Sequence, residues 1–265
     1  MDMVEQLFEE LRALPQAEAL ALGGSRAGEV FDAASDYDVY LYCTAPIPVE
    51  TRREILERHC CLLELGNSFW EYEDNCRLNS GVDLDILYRD LDSFAAGVAE
   101  VVEGFQARNG YTTCMWHNLL TCRILWDKEG RLTRTRERFS VPYPPQLRRA
   151  ILERDWRLLH TALPAYDGQL AKAVKRRDWV SVNHRTAAFL EAYFDFLFAL
   201  NGLTHPGEKR LVQLCRARCA LLPEGFEENL EALFQDLFHR PERVEGDVAA
   251  ILAALEKVYP TQNMT

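Results

Sequence analysis

Strand-like segments stop at Trp126, and every later periodic segment reads as helix. That change of period divides the chain more firmly than any other feature. Before it, residues 19–22 form a short apolar run ending in Gly23-Gly24-Ser25, and 37–43 alternate, aromatic and β-branched, up to a Thr-Ala-Pro turn. Strands also fit within 69–78, at 82–88 beyond Asn79-Ser80-Gly81, and at 122–126. Helices fit 2–13, where Val4, Leu7, Phe8 and Leu11 recur before Pro15, and 49–65, where Ile55, Leu56, Leu62 and Leu63 stand among Arg and Glu. Two more fit 91–103 and 111–120, and 128–145 reads as a polar linker closing in Pro142-Tyr143-Pro144-Pro145. Beyond it, 147–162, 167–177, 178–201, 206–221 and 241–258 show helical periodicity, punctuated by Pro164, Pro206, Pro223 and Pro241. The expectation is an α+β domain over 1–140 and an all-α helical bundle over 141–265.

With 265 residues, each half is long enough to bury a core. The charge is uneven: residues 1–140 hold 14 positive and 25 negative side chains, and 141–265 hold 16 of each, so the net −11 lies in the first half. Such a half repels a polyanion, which disfavours nucleic acid as a partner and favours metal ions and cationic small molecules. Two basic stripes, 131–136 and 175–177, keep an RNA acceptor open. Eight cysteines without dense, regular spacing are expected as reduced thiols, and Cys114, His117 and Cys122 lack a fourth ligand for zinc. The first residues are acidic and no apolar signal core follows, while 187–200 is short and interrupted by Glu191 and Asp195. The expected location is therefore the cytoplasm, with no membrane contact. Trp156, Trp179, Tyr193 and Phe194 fall at core-like spacing.

Carboxylate spacing carries the chemistry. Asp36 and Asp38, two apart at the start of a strand, share one face, and Asp83 and Asp85 repeat the pattern on another strand. On neighbouring strands, roughly 4.8 Å apart, three or four carboxylates would converge. Each like-charge pair at about 4 Å costs on the order of 4 kcal/mol at an effective dielectric near 20, so the patch requires protons or a divalent cation. Mg²⁺ suits it, because it takes one or two carboxylates and completes its octahedron with water and substrate phosphates. Gly23-Gly24-Ser25 adds a phosphate cradle, with backbone N–H groups and the Ser25 hydroxyl as donors.

Leu22-Gly23-Gly24-Ser25, followed by Ser35-Asp36-Tyr37-Asp38-Val39, resembles the signature of the DNA polymerase β-type nucleotidyltransferase superfamily: an apolar residue, Gly-Gly or Gly-Ser, a short gap, then Asp-apolar-Asp-apolar. Tyr37 stands where an aliphatic residue is usual. The family's third carboxylate lies on a later strand between apolar residues. Asp83 and Asp85 both satisfy this, and the run from Leu84 to Asp90 favours Asp85. Phe198–Asn201 with His205–Arg210 is similar to a segment of stand-alone bacterial small-molecule nucleotidyltransferases of the antibiotic-modifying type, which carry a C-terminal helical domain.

The resemblance implies a mixed sheet with helices on one side, followed by the bundle. It implies two Mg²⁺ ions, present with an NTP bound, held by Asp36, Asp38 and Asp85, and a triphosphate held by Gly24 and Ser25. It further implies transfer of a nucleoside monophosphate, from ATP by preference, to a hydroxyl of a small-molecule acceptor, with pyrophosphate leaving. Lys209 or Arg210 is the candidate cation for the leaving group. Arg26 is placed to touch phosphate or to pair with Asp32. Asp83, Glu191 and Asp195 are candidates for an acceptor pocket, with pairing to Arg185 and other neighbours the alternative for the latter two. The rival functions are transfer to an RNA end or a protein side chain, and a catalytically silent nucleotide sensor.

Overall fold

A computed structural model describes residues 3–27 and 35–259. The chain divides into two compact units, Met1–Ala99 with Asn118–Val141, and Glu100–His117 with Pro142–Thr265. The first unit opens with α1 (Met3–Arg12), β1 (Ala17–Leu22), a 3-10 turn at Ser25–Ala27, β2 (Tyr37–Cys43), α2 (Val49–His59), β3 (Cys60–Asn67), β4 (Glu73–Leu78) and β5 (Asp83–Arg89). Then come α3 (Leu91–Val102), capped by Asp90 accepting from the Ser93 N–H at 2.7 Å, α4 (Cys114–Thr121), β6 (Arg123–Asp127) and α5 (Arg131–Phe139).

The strands form one mixed sheet in the order β3-β4-β5-β2-β1-β6. β2 and β5 run parallel, with Tyr37 opposite Leu84 and Asp38 opposite Asp85, and the other neighbours are antiparallel. Leu20 and Leu22, Val39 and Leu41, and Leu84 and Ile86 supply one face, which packs on Leu7, Phe8 and Leu11 of α1 and Ile55 and Leu56 of α2. Each such side chain, removed from water, contributes roughly 1.5–3 kcal/mol. The period of two then sends Asp38, Tyr40 and Tyr42, and Asp83 and Asp85, to the other face. There Phe94 of α3 meets Tyr42 edge-on at 5.7 Å, so α3 reaches the Tyr42 end of that face.

In the first unit, two assignments differ from the sequence expectation and one is narrowed. The helix expected over 49–65 ends at His59, because Cys60–Asn67 pairs with β4 instead. A short apolar run such as Leu62-Leu63 fits either period, and the available ladder partner decides. Leu63 and Leu65 pack on the core while Leu62 is exposed. The strand expected within 69–78 is β4, Glu73–Leu78, and Phe69 and Trp70 before it are exposed loop residues. The stretch expected as a linker contains α5, whose apolar signal rests on Leu132 and Phe139 alone. Arg131 of α5 is held by Glu18 and by Asp92, at 2.5 and 2.6 Å.

β4 is locked from the core side. Arg52 of α2 is buried and pairs with Asp74, which also accepts from the Tyr88 hydroxyl at 2.8 Å and the Gly66 N–H at 2.8 Å. A buried pair left with one partner is costly, so this network resists slippage of β4 against α2 and β5.

The second unit contains α6 (Pro145–Trp156), running into a π-helical turn at Arg157–Thr161, α7 (Tyr166–Arg176), α8 (Trp179–Leu200), α9 (Leu211–Arg218), α10 (Phe226–His239), a 3-10 turn at Pro241–Arg243 and α11 (Val244–Val258). α10 occupies a stretch to which the sequence reading assigned no element; Phe226, Leu230 and Leu233, at i, i+4 and i+7, are buried. α8 begins at Asp178, whose side chain accepts from the Ser181 N–H at 3.1 Å, and it packs against α6 and α7. Tyr193 and Phe194 are core residues as expected, whereas Trp179 is 43% exposed.

Two acids lie inside this bundle. Asp195 accepts from the Thr112 hydroxyl at 2.6 Å and from the Thr112 N–H, and burial pushes its pKa up to about 6. Asp155 is fully buried, neither carboxylate oxygen has a hydrogen-bond partner among the described residues, and burial, then Asp195, raise its pKa well above the usual range. Groups that hold protons more tightly when folded lend stability that is full below the unfolded pKa, near 4, and is lost as pH rises towards the folded value. For Asp195 that window ends at about pH 6. Asp155→Asn removes one such group, so its stability in urea should gain on the wild type steadily from pH 4 to 7, at up to about 1.4 kcal/mol per pH unit. A constant offset across that range would contradict the buried, proton-retaining acid.

Candidate active site

The candidate site forms on the sheet face away from α1 and α2. The parallel register sets Asp38 of β2 directly opposite Asp85 of β5, and alternation turns both side chains to this face. On the far side of Asp85, its register partner on β4 is Asn75, whose Nδ2 donates to Asp85 Oδ1 at 2.8 Å. Asn75 is itself oriented by the Asn67 amide, which donates to its Oδ1 at 2.7 Å. Glu73, two residues before Asn75, shares the face, and its carboxyl is raised above the usual range by burial and by the negative charges of Asp85, Glu71 and Asp38. Asp38, Asp85 and Glu73 thus lie within electrostatic reach of one another.

The glycine turn abuts this cluster. The Gly23 N–H donates to the Asp38 carbonyl at 2.8 Å, which ties the turn to the start of β2. Gly24 has φ +55°, and a Cβ there would lie 1.8 Å from Asp38 Oδ2; a Cβ on Gly23 would lie 2.0 Å from the Tyr40 hydroxyl. Both positions need glycine for close approach, and Gly24 needs it for backbone sign as well.

Behind the turn, Tyr40 is fixed by two groups. Asn118 donates to its hydroxyl at 2.6 Å, and the Arg89 guanidinium stacks 4.0 Å from its ring centre. Arg89, almost wholly buried, donates to both Glu71 oxygens at 2.8 and 2.6 Å and to Asn118 Oδ1 at 3.0 Å. That two-point pairing satisfies a cation that could not otherwise be kept from water.

The other expected site residues are placed as follows. Asp36 lies one residue before β2 and is exposed. Asp83, on the same face as Asp85, is engaged by Arg77 at 2.7 and 3.3 Å, and that contact lowers its pKa. Among the described residues, no three His, Cys, Asp or Glu side chains form a group that could hold a metal ion. Arg26 lies 3.8 Å over the Tyr37 ring and donates through Nε to the Ser35 carbonyl at 2.7 Å. Tyr37 belongs to the face opposite Asp38. Ser25 opens the 3-10 turn; its hydroxyl, and Asp32 as the alternative partner of Arg26, lie outside what is described.

Lys209 and Arg210 are exposed residues just before α9 in the second unit, and Arg210 has φ +60°. In the same unit, Glu191 is partly buried against Gly110, where a Cβ would lie 2.1 Å from its Cγ, and burial raises its carboxyl. Asp195 is sealed by Thr112 rather than facing solvent. All eight cysteines are free; burial lowers the His117 pKa to about 4, and its Nδ1 lies 2.7 Å from the Thr204 hydroxyl. No helix among the described residues is long and apolar enough to cross a membrane.

Sequence reasoning missed Glu71, Glu73, Asn75, Arg89, Tyr40 and Asn118. The alternation of Glu73, Asn75 and Arg77 along one strand was a usable signal. Nothing in the sequence connects Asn118 to Tyr40, which precedes it by 78 positions.

Residues 111–210, less than half of the chain, match a family described as a domain of unknown function, DUF4037. No curated protein matches the chain. Among solved structures, it is similar to a nucleotidyltransferase-like protein from Exiguobacterium sibiricum 255-15, at 13% identity and a TM-score of 0.43, over 97% of this chain and 73% of that one. It is also similar to an aminoglycoside 6-adenyltransferase from Bacillus subtilis, at 10% identity and a TM-score of 0.27, over 98% and 96%. At such TM-scores neither likeness carries an argument, and the site stands on its own geometry.

The turn geometry separates two glycines of like backbone. Gly24 and Gly81 both have positive φ, but only Gly24 has a side chain in the way. Both Gly24→Ala and Gly81→Ala should lose about 1–2 kcal/mol of stability from backbone strain. Only Gly24→Ala should also shift the carboxyl ¹³C resonance of Asp38, and an unmoved resonance would show that the turn does not rest on that carboxylate.

Proposed function

We propose that the chain is a Mg²⁺-dependent nucleotidyltransferase, moving a nucleoside monophosphate from an NTP, with ATP the first choice, to a hydroxyl of a small-molecule acceptor. The observation that carries this reading is the in-register pair Asp38 and Asp85 with Gly24 closed against Asp38. The donor set fits the metal: two adjacent carboxylates beside a turn without side chains match the one or two carboxylates that Mg²⁺ accepts when phosphate oxygens complete its shell. Asp38 and Asp85 would hold it, with exposed Asp36 as a further oxygen ligand. Bound there, the metal would supply neutralisation of phosphate charge and a lowered acceptor pKa.

The chain's own groups account for the rest. The Gly23–Gly24 turn admits a phosphate close to the backbone, and the Asn75 amide holds the Asp85 carboxylate in one orientation. Glu73 is the proton acceptor in this reading, since burial and neighbouring acids raise its pKa towards the range useful for a general base. The acceptor oxygen attacks the α-phosphorus, its proton passes to Glu73, and the bond to pyrophosphate breaks.

Pyrophosphate release from an NTP, read across a panel of hydroxyl acceptors with Mg²⁺, is the direct test. Asp38→Asn and Asp85→Asn should each abolish it. Glu73→Gln should lower turnover by about 10²–10⁴-fold. Because the base must be ionised, wild-type turnover should fall as pH drops through the raised Glu73 pKa, and this acid limb should vanish in Glu73→Gln. Mg²⁺–NTP binding that is equal in the wild type and both Asp variants, with no pyrophosphate from any acceptor, would overturn the proposal.

A further inference from the structure

The second unit contains a cavity lined by its own residues alone. Its volume is about 400 Å³, in the range of small-ligand sites, and it lies where the end of α6, the π-helical turn, α7 and α11 meet. The π turn at Arg157–Thr161 closes through the Ala162 N–H to the Arg157 carbonyl at 2.9 Å and widens the helix at this point. Such local widenings are often found at functional sites. The facing helices keep the space open with small residues: Gly168 and Ala171 on α7, and Ala249 and Ala253 on α11. A Cβ at Gly168 would meet nothing within 4 Å.

The lining has one sign of charge. Asp167, Glu245 and Glu256 contribute carboxylates, and neither Lys nor Arg lines the cavity. His160 engages one of the acids, with Nδ1 2.6 Å from Asp167 Oδ2. Trp156 and His160 meet edge-on at 5.7 Å and form an aromatic wall, while Val248 and Leu252 supply an apolar surface. Trp156 is nine-tenths buried or more, and its indole N–H has no hydrogen-bond partner among the described residues. An anion would be repelled here, a strongly hydrated polyol would waste the apolar wall, and a bare inorganic cation finds no three-ligand group. A cationic head beside carboxylates and an indole, on an apolar body of modest size, matches the charge and the apolar wall of the lining.

We propose that this cavity is a binding site for a small organic ammonium with an aromatic or aliphatic body. The inference does not depend on nucleotidyl transfer, and its test uses neither NTP nor metal. The probe is benzyltrimethylammonium, titrated calorimetrically into the full chain at low ionic strength, beside a neutral isostere with carbon in place of the nitrogen and beside benzoate. The cation should bind at least about tenfold more tightly than the neutral isostere, as expected when desolvated cation–π and carboxylate contacts add, and benzoate should not bind. Asp167→Asn with Glu245→Gln should weaken the cation by about tenfold or more. Ala249→Phe should abolish binding by filling the space. Gly168→Leu gives the same reading from α7 if the first variant does not fold. Fluorescence of the wild type and Trp156→Phe assigns the site, since the ligand-induced change should disappear in the variant. Equal binding of the cation and the neutral isostere, undiminished binding in a folded filled variant, or no binding at millimolar probe would each overturn the proposal.

Discussion

The parallel pairing of β2 with β5 is the constraint on which the rest of the first unit depends. Antiparallel neighbours can be shifted by a turn, but a parallel pair is joined through an intervening crossover, here α2, β3 and β4, whose packing fixes where the strands stop. Once Leu84 and Ile86 join Val39 and Leu41 in the core, Asp85 has no choice but to stand opposite Asp38. A slip of one residue would turn the carboxylates into the core and the leucines outward. Hydrophobic burial therefore enforces a juxtaposition of acids that electrostatics alone would oppose.

Two buried cations steady this arrangement without touching the acid pair. Arg52 reaches Asp74 from α2 and fixes β4 from the core side, which in turn sets Asn75 and Glu73 on the opposite side of the same strand. Arg89 does the equivalent work across the site face, joining Glu71, Asn118 and the Tyr40 ring. The positive charge of these two arginines is held one layer back, where it shapes the face.

How much of this was legible in the sequence follows from the range of each interaction. Asp38 and Asp85 could be read because an Asp between apolar residues on a strand declares its own face, and the glycine turn is adjacent in the chain to β1. The α2–β3 junction could not, because Leu62 and Leu63 satisfy both periods until β4 is present as a partner. α5 was hidden by its composition: one buried Leu and one buried Phe among arginines resemble a linker. Glu73 and Asn75 lay in a stretch read as strand, but nothing local marks their face as the one that meets Asp85. The Asp195 carboxylate, read as a pocket acid or as a group paired with its neighbours, accepts from Thr112, a partner 83 positions away.

The place of β2 within the sheet has one more consequence. It is flanked on both sides, by β5 and β1, while β3 and β6 occupy the margins. Backbone amides of a doubly flanked strand exchange with solvent only when the whole unit opens, whereas marginal strands fray at little cost. Wear at the rim, whether from heat, proteases or insertion of new loops, is thus decoupled from the strand that carries Asp38, and the periphery of this fold is free to diversify around an invariant hub.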